Sequence, residues 1–407
     1  MHRVVVTGLG ALCAVGNSAA ESWRSVVEGR SGVGPITLFD HSDLEVKVAA
    51  EVKNFDPDEA LGRREARRLD RFEQVALIAA DEALKHSGLE VTDENTDCIG
   101  VAISSGVGGL TTLNEQILIC NTEGPRKMSP FTIPRIMSNG ASGAVSIRHG
   151  LRGPSFSTAS ACASAADGIG MSAHFIRSGM VNVMVAGGAE CGITLVGVGS
   201  FDRVKAMSRR ADNTPRPFSA DRDGLVIGEG AAVLILESLE HAQARGATIL
   251  AELIGYGASA DAYHITAPTE DGSGSATAIK RAMEDARVTP EQIDYIYAHG
   301  SGTILNDSAE TMALMLALGE QAYEIPTSST KSMTGHMMGA TGALEALFSV
   351  MAIRENTLPP TINYNEPDPE SDLDYVPNEA RDWDTSIVMS NSFGFGGHNS
   401  VLIFKEY

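Results

Sequence analysis

One order of elements occurs twice in this chain, and that repetition restricts the fold more than any single motif. In the first pass, residues 70–86 carry Phe72, Val75, Ala76, Ala79, Ala83 and Leu84 at helical spacing, and Gly88 ends the pattern. A buried-type strand over residues 99–103 follows and opens into Ser104-Ser105-Gly106-Val107-Gly108-Gly109. Further on, Cys162 stands at the head of a helix of small residues. In the second pass, a helix over residues 276–286 leads to a strand over 292–298 and the loop His299-Gly300-Ser301-Gly302-Thr303. Lys331-Ser332-Met333-Thr334-Gly335-His336 then precedes a helix over 339–353. Helix, strand, Gly-rich loop and reactive side chain, in that order both times, predict an internal duplication of two βα-rich halves. The first half ends near Ser238 and the second begins near Ala251, so the expected units of this α/β chain are 1–250 and 251–407.

The stretch over residues 157–190 concentrates the reactive potential of the first half. Ala161, Ala163, Ser164 and Ala165 surround Cys162, which lets neighbouring backbone approach and leaves room at the sulfur. Ile169, Ala173, Phe175 and Ile176 continue as a helix to Gly179, and residues 181–186 read as a buried strand ending at Gly187-Gly188. A helix that starts near Cys162 favours the thiolate and lowers the thiol pKa. Two readings stand on this stretch alone: an activated nucleophile, or a buried structural cysteine.

Charge and cysteine usage remove several function classes. The net charge of −21 argues against nucleic acid and against an anionic membrane surface. Cys13, Cys98, Cys120, Cys162 and Cys191 are scattered without C-x-x-C spacing, which fits a reducing compartment and no zinc site. Near the N-terminus Gly8, Gly10 and Gly16 break an apolar run that would otherwise imitate a signal peptide, so residues 4–6 read as a strand and Thr7-Gly8 as a turn. Gly8-Leu9-Gly10 is half of a dinucleotide fingerprint, but Cys13 stands where its last small residue belongs. No apolar run reaches membrane-spanning length, and a soluble, cytoplasmic protein is expected.

Taken singly, His299 reads as a loop cap, His336 as a satisfied core histidine and Lys331 as a surface charge. The Phe393-Gly394-Phe395-Gly396-Gly397 loop between two C-terminal strands reads as a hairpin. Together they lie at corresponding ends of a duplicated fold, where α/β architectures gather residues into one pocket.

Four ordered signatures carry a resemblance over essentially the whole chain: Ser160-Ala161-Cys162-Ala163-Ser164, Ala298-His299-Gly300-Ser301-Gly302-Thr303, Lys331 to His336, and Ser392-Phe393-Gly394-Phe395-Gly396-Gly397. The sequence resembles the β-ketoacyl-acyl-carrier-protein synthases of the thiolase superfamily. The resemblance implies a thiolase-like fold in five layers, αβαβα, and a dimer. It implies that Cys162 is the acylated nucleophile, that His299 and His336 are its two histidines, and that Lys331 pairs with Glu310. Phe395 resembles the gating phenylalanine, its N–H joining that of Cys162 as the oxyanion hole. Ser301 and Thr303 resemble the hydroxyls that hold a pantetheine arm, with Phe393 beside them. Val107 falls where the family lines its acyl pocket, and Thr132 where a second Phe is usual. No metal or redox cofactor is implied, because loss of CO₂ drives the reaction.

The Cys-His-His set separates this pattern from degradative thiolases, which carry a second Cys in the C-terminal loop, and from initiating synthases, which carry Asn for one His. A non-catalytic chain-length factor would lack Cys162. The runs over 306–323 and 367–377 are similar to type II polyketide ketosynthases, whereas 153–155 and 393–399 are closer to the fatty-acid elongating enzyme. The implied partners are an acyl carrier protein and either a second copy or a chain-length-factor-like subunit. Carrier docking is expected at Arg63, Arg67 and Arg68 (with Arg64 beside them), at Arg126 and Lys127, and at Lys205 and Arg209.

Overall fold

The computed structural model describes residues 2–407. Ten strands form one sheet: β1 Val4–Cys13, β2 Ile99–Ser104, β3 Ser155–Phe156, β4 Val183–Cys191, β5 Glu229–Ser238, β6 Ala251–Ala260, β7 Tyr295–Tyr297, β8 Thr327–Ser328, β9 Ile387–Gly394 and β10 His398–Lys405. Their spatial order is β8-β7-β9-β10-β6-β1-β5-β4-β2-β3. Each half has the same arrangement: β3-β2-β4-β5-β1 is repeated as β8-β7-β9-β10-β6. The directions repeat as well. The pairs β2–β3 and β2–β4 are parallel, as are β7–β8 and β7–β9, while β4–β5, β5–β1, β9–β10 and β10–β6 are antiparallel. The halves meet edge to edge at β1 and β6 through only two residue pairs, Val5 with Glu252 and Val6 with Ala251.

So narrow a seam needs support from the helices. α1 (Arg71–Ser87) and α2 (Gly140–His149) cover the outside of the first half-sheet, and α4 (Ser273–Ala286) covers the outside of the second with α5 (Ile304–Leu318) against it. Between the half-sheets lie α3 (Ser164–Arg177) and α6 (Thr341–Glu355), packed on each other and on strands of both halves. Ala165, Ile169 and Ala173 of α3 share one core with Leu344, Leu347 and Phe348 of α6 and with Leu234, Tyr297 and Leu402 from the two half-sheets. A helix buried on all sides must be apolar all round, and α6 is buried along nearly its whole length. The five-layered αβαβα thiolase fold follows.

α1 begins where its capping box dictates: the Asp70 side chain accepts the Phe72 N–H, and the Glu73 carboxylate accepts the Asp70 N–H at 2.7 Å. Three local expectations fail. β1 continues through Thr7-Gly8, with a register shift between Val6 and Gly8 instead of a turn. β4 likewise continues through Gly187 and Gly188 to Cys191. The predicted strand over 292–298 shortens to Tyr295–Tyr297, because Pro290–Gln292 forms a 3₁₀ turn. The glycines in β1 and β4 mark close packing. A Cβ on Gly10 would meet the Ala79 carbonyl oxygen of α1 at 2.1 Å, and one on Gly188 would meet Ala165 Cβ at 2.7 Å and Ala340 Cα at 2.9 Å.

Candidate active site

The reactive residues all follow C-terminal ends of the parallel strands. Cys162 comes after β3, His299 after β7, Lys331 and His336 after β8, and Phe395 directly after β9. They converge where α3 and α6 begin. A cavity of about 350 Å³ is lined by Cys162, His299, His336, Phe393 and Phe395, with Ser301 and Thr303 on its wall. The His299 and His336 rings meet edge to face, with centroids 5.2 Å apart, and the Phe393 ring lies 6.0 Å from that of His299.

Cys162 sits in a 3₁₀ turn, Ala161–Ala163, one residue ahead of α3. Ala161 is held at φ +50°, a left-handed conformation that an L-residue adopts only when its surroundings enforce it. The backbone N–H groups of Phe395 and of Cys162 itself lie near enough to the thiol to favour its anion. Gly394 permits that approach, since a Cβ there would meet the Cys162 nitrogen at 2.8 Å. The expected low thiol pKa is not found. Burial pushes the Cys162 thiol up to about 11, against the opposing pull of the Lys331 ammonium and of the Phe395 N–H. Desolvation of the thiolate outweighs the favourable helix end.

Both histidines are buried, and burial with the nearby Lys331 charge holds them well below the usual imidazole range. They are therefore neutral at pH 7. His336 Nδ1 accepts the Met338 N–H at 3.2 Å and lies 2.9 Å from Thr341 Oγ1. A ring nitrogen that accepts carries no proton, so Nε2 of His336 bears the N–H. His299 Nδ1 has no hydrogen-bond partner.

Lys331 does not pair with Glu310. Its ammonium donates to a Glu345 carboxylate oxygen, one that α6 carries into the core, and to the His299 carbonyl. Glu310 instead accepts the backbone N–H groups of His299 at 2.8 Å and Gly300 at 2.7 Å, with Asn391 donating at 3.2 Å. Burial raises the Glu310 carboxyl to about 7, against those three donors. Glu345 escaped the sequence reading, although a single acid in the apolar run of α6 was a visible signal. Glu190 of β4 was missed as well. It is buried and accepts N–H groups from Gly106 at 2.6 Å and Gly339 at 3.2 Å, bracing the first Gly-rich loop against the turn after His336.

Ser301 and Thr303 hydroxyls lie 2.9 Å apart on the cavity wall. Val107 and Thr132 are not part of that wall. Val107 is exposed, with its N–H 3.3 Å from Glu190, and Thr132 is buried, donating to the Ser129 carbonyl at 2.7 Å. Of the basic residues, Lys205 lines the cavity, while Arg209 pairs with Glu45 and Asp202. Arg126 and Lys127 lie exposed on the turn Pro125–Lys127, and Arg67 is exposed beyond the short helix Arg63–Ala66. Arg63 and Arg68 border a second cavity of about 600 Å³, and the Arg68 guanidinium lies 5.8 Å from the Phe131 ring centroid.

Residues 1–242 match the sequence model of the beta-ketoacyl synthase N-terminal domain, and residues 250–365 that of its C-terminal domain. The chain belongs to the beta-ketoacyl synthase family. One relative, the 3-oxoacyl-[acyl-carrier-protein] synthase 2 of Synechocystis sp., is 48% identical over 408 residues, covering 100% of this chain and 98% of its own. Two solved structures superpose with a TM-score of 0.93. The ishigamide ketosynthase/chain length factor is 37% identical and covered at 100% of this chain and 99% of that one. A type II polyketide synthase acyl-carrier protein in complex with its ketosynthase, bound to the hexaketide, is 34% identical with the same coverage. No helix among the described residues of this beta-ketoacyl synthase is long and apolar enough to cross a membrane.

Proposed function

We propose that this chain is an elongating 3-oxoacyl-acyl-carrier-protein synthase with Cys162 as its acyl acceptor. The observation that carries this reading is one cavity holding a thiol between two N–H donors and two neutral imidazoles. In the first step the Cys162 sulfur attacks a carrier-bound acyl thioester. The Cys162 and Phe395 N–H groups stabilise the tetrahedral oxyanion. The old C–S bond breaks, and the proton lost by Cys162 ends on the pantetheine thiol.

In the second step a malonyl thioester loses CO₂, and the pair of electrons left behind forms an enolate. His336 Nε2–H and the neutral His299 donate to its oxygen, which is why neither ring is to be protonated. The enolate carbon attacks the acyl group on Cys162, the same oxyanion hole serves again, and Cys162 leaves and regains a proton. The product is a 3-ketoacyl thioester, and the scheme balances with the two thioesters and one proton, without a metal or redox cofactor. Burial and the Lys331 ammonium keep the imidazoles neutral, and Lys331, paired with Glu345, holds the His299 loop through its carbonyl; Ser301 and Thr303 bind the pantetheine arm.

For the pathway, the similarity to solved polyketide ketosynthases supports a type II polyketide role with a chain-length-factor-like partner. The 48% identity to a 3-oxoacyl-acyl-carrier-protein synthase 2 favours a second reading, a self-sufficient elongating enzyme paired with its own copy. Purified alone with acyl-carrier and malonyl-carrier substrates, a self-sufficient enzyme extends a saturated acyl chain. A polyketide subunit turns over only after a partner is added. In either case Cys162→Ala loses the acyl adduct by intact mass; an adduct retained on that variant refutes the acceptor assignment.

A further inference from the structure

The turn that presents Cys162 is tied to the other half of the molecule by hydrogen bonds not used in the scheme above. Asp167 of α3 accepts the Tyr256 hydroxyl at 2.8 Å on one carboxylate oxygen, and its other oxygen accepts the Ser160 hydroxyl. Tyr256 belongs to β6, in the C-terminal half, and Ser160 opens the nucleophile turn. Gly170 makes room for the bond: a Cβ there would meet the Tyr256 ring at 2.3 Å. Ser160 is also fixed through its backbone, whose N–H donates to Ser164 Oγ at 2.9 Å, and that hydroxyl donates to the Ala161 carbonyl at 2.6 Å.

The turn needs such anchoring. A left-handed Ala161 costs about 1–2 kcal/mol relative to an ordinary conformation, so the turn relaxes unless neighbours hold it. Its seating also has a chemical consequence. Of the two N–H groups beside the thiol, that of Cys162 comes from the first half and that of Phe395 from the second, next to Gly394, where a Cβ would meet the Cys162 nitrogen at 2.8 Å. Their spacing depends on how the nucleophile turn sits against the C-terminal half, and the Tyr256–Asp167–Ser160 chain crosses that boundary.

We propose that Asp167 is a positioning residue that fixes the Cys162 turn against the C-terminal half and thereby sets the spacing of the two oxyanion donors. The inference rests on Cys162 being the acyl acceptor. Asp167 acts on steps that pass through a tetrahedral oxyanion at Cys162, namely acylation and condensation. Malonyl decarboxylation, served by His299 and His336, is not its concern.

The test separates those steps in the full-length protein. Acylation of Cys162 by an acyl-pantetheine thioester is timed by intact mass, and CO₂ release from malonyl-pantetheine is measured in parallel. Asp167→Ala and Tyr256→Phe are expected to slow acylation on the order of tenfold or more, with CO₂ release within about threefold of the parent. Asp167→Asn, which still accepts from Tyr256 and still bonds Ser160, is expected to recover most of the loss. Should Asp167→Ala fail to fold, Tyr256→Phe and Ser160→Ala carry the same comparison. Parallel losses in both rates, or acylation at the parental rate in these variants, would overturn the proposal. A Cys162→Ala variant that still takes the acyl group would instead overturn the acceptor assignment beneath it.

Discussion

The two halves of the molecule share one strand order but hold their reactive groups by different means. In the N-terminal half, Cys162 is presented by a left-handed turn braced with hydroxyls and backbone N–H groups, and the buried Glu190 behind it is met only by N–H and O–H donors. In the C-terminal half, His299 and His336 lie against a buried ion pair, Lys331 with Glu345, and Glu310 holds the His299 loop by its amides. Repeated topology thus decides where a residue is delivered, while burial decides its protonation state. Desolvation and the Lys331 ammonium act together to keep the imidazoles neutral; at the thiol desolvation acts against that same ammonium and wins, so the sulfur stays protonated.

The sharpest way to break this contrast is to remove each half's chemistry in turn. His299→Ala and His336→Ala should lower CO₂ release by about 10²–10³ per lost donor and leave Cys162 acylation nearly intact. Cys162→Ala should do the reverse. CO₂ release at the parental rate in both histidine variants would refute the division of labour.

Next comes the charge itself. Glu345→Ala leaves Lys331 buried without a counter-ion, a change that costs about 3–5 kcal/mol of stability, read by chemical denaturation. Glu310→Ala removes no cation's partner and should cost less stability while disordering the His299 loop. Equal losses would mean that Lys331 is served by both acids.

The thiol offers a comparison in pH. With its pKa raised to about 11, Cys162 is thiolate at only about one part in 10⁴ at pH 7. Alkylation of the Cys162 peptide by iodoacetamide should rise about tenfold per pH unit up to about pH 10. A plateau below pH 8 would show that the helix end outweighs burial after all. The smallest effect is expected at the mouth. Lys205→Glu should slow acylation by the acidic carrier several-fold at low salt and spare a small pantetheine thioester. Arg209→Glu should do less, because Glu45 and Asp202 already neutralise that guanidinium.

Much of this site was legible because its signals are local. Helical spacing, Gly-rich loops and the order of reactive residues mark the duplication, and the fold follows from it. What escaped depends on contacts between distant segments. Glu345 is nearer to Lys331 in sequence than Glu310 is, but it sits inside an apolar helix, and only the packing of α6 shows that it meets the ammonium. Glycines in β1 and β4 carry the usual mark of a turn, yet close packing requires them: the backbone of α1 presses on β1, while Ala232 of β5 and Ala165 of α3 press on β4. The position of Cys162 at a helix head leads to the expectation of a thiolate, but burial of the sulfur, visible only in the packed structure, raises its pKa instead.

On the proposed mechanism, the division of the oxyanion donors between the halves makes activity a report on assembly. A chain whose C-terminal segment has not yet docked keeps its cysteine but lacks the Phe395 amide that would stabilise attack on a thioester. During synthesis Cys162 is made long before residues 387–405, so on the proposed mechanism the complete pair of oxyanion donors forms only once they dock. By the same logic, a substitution in one half that displaces its donor is expected to cost the other half its function.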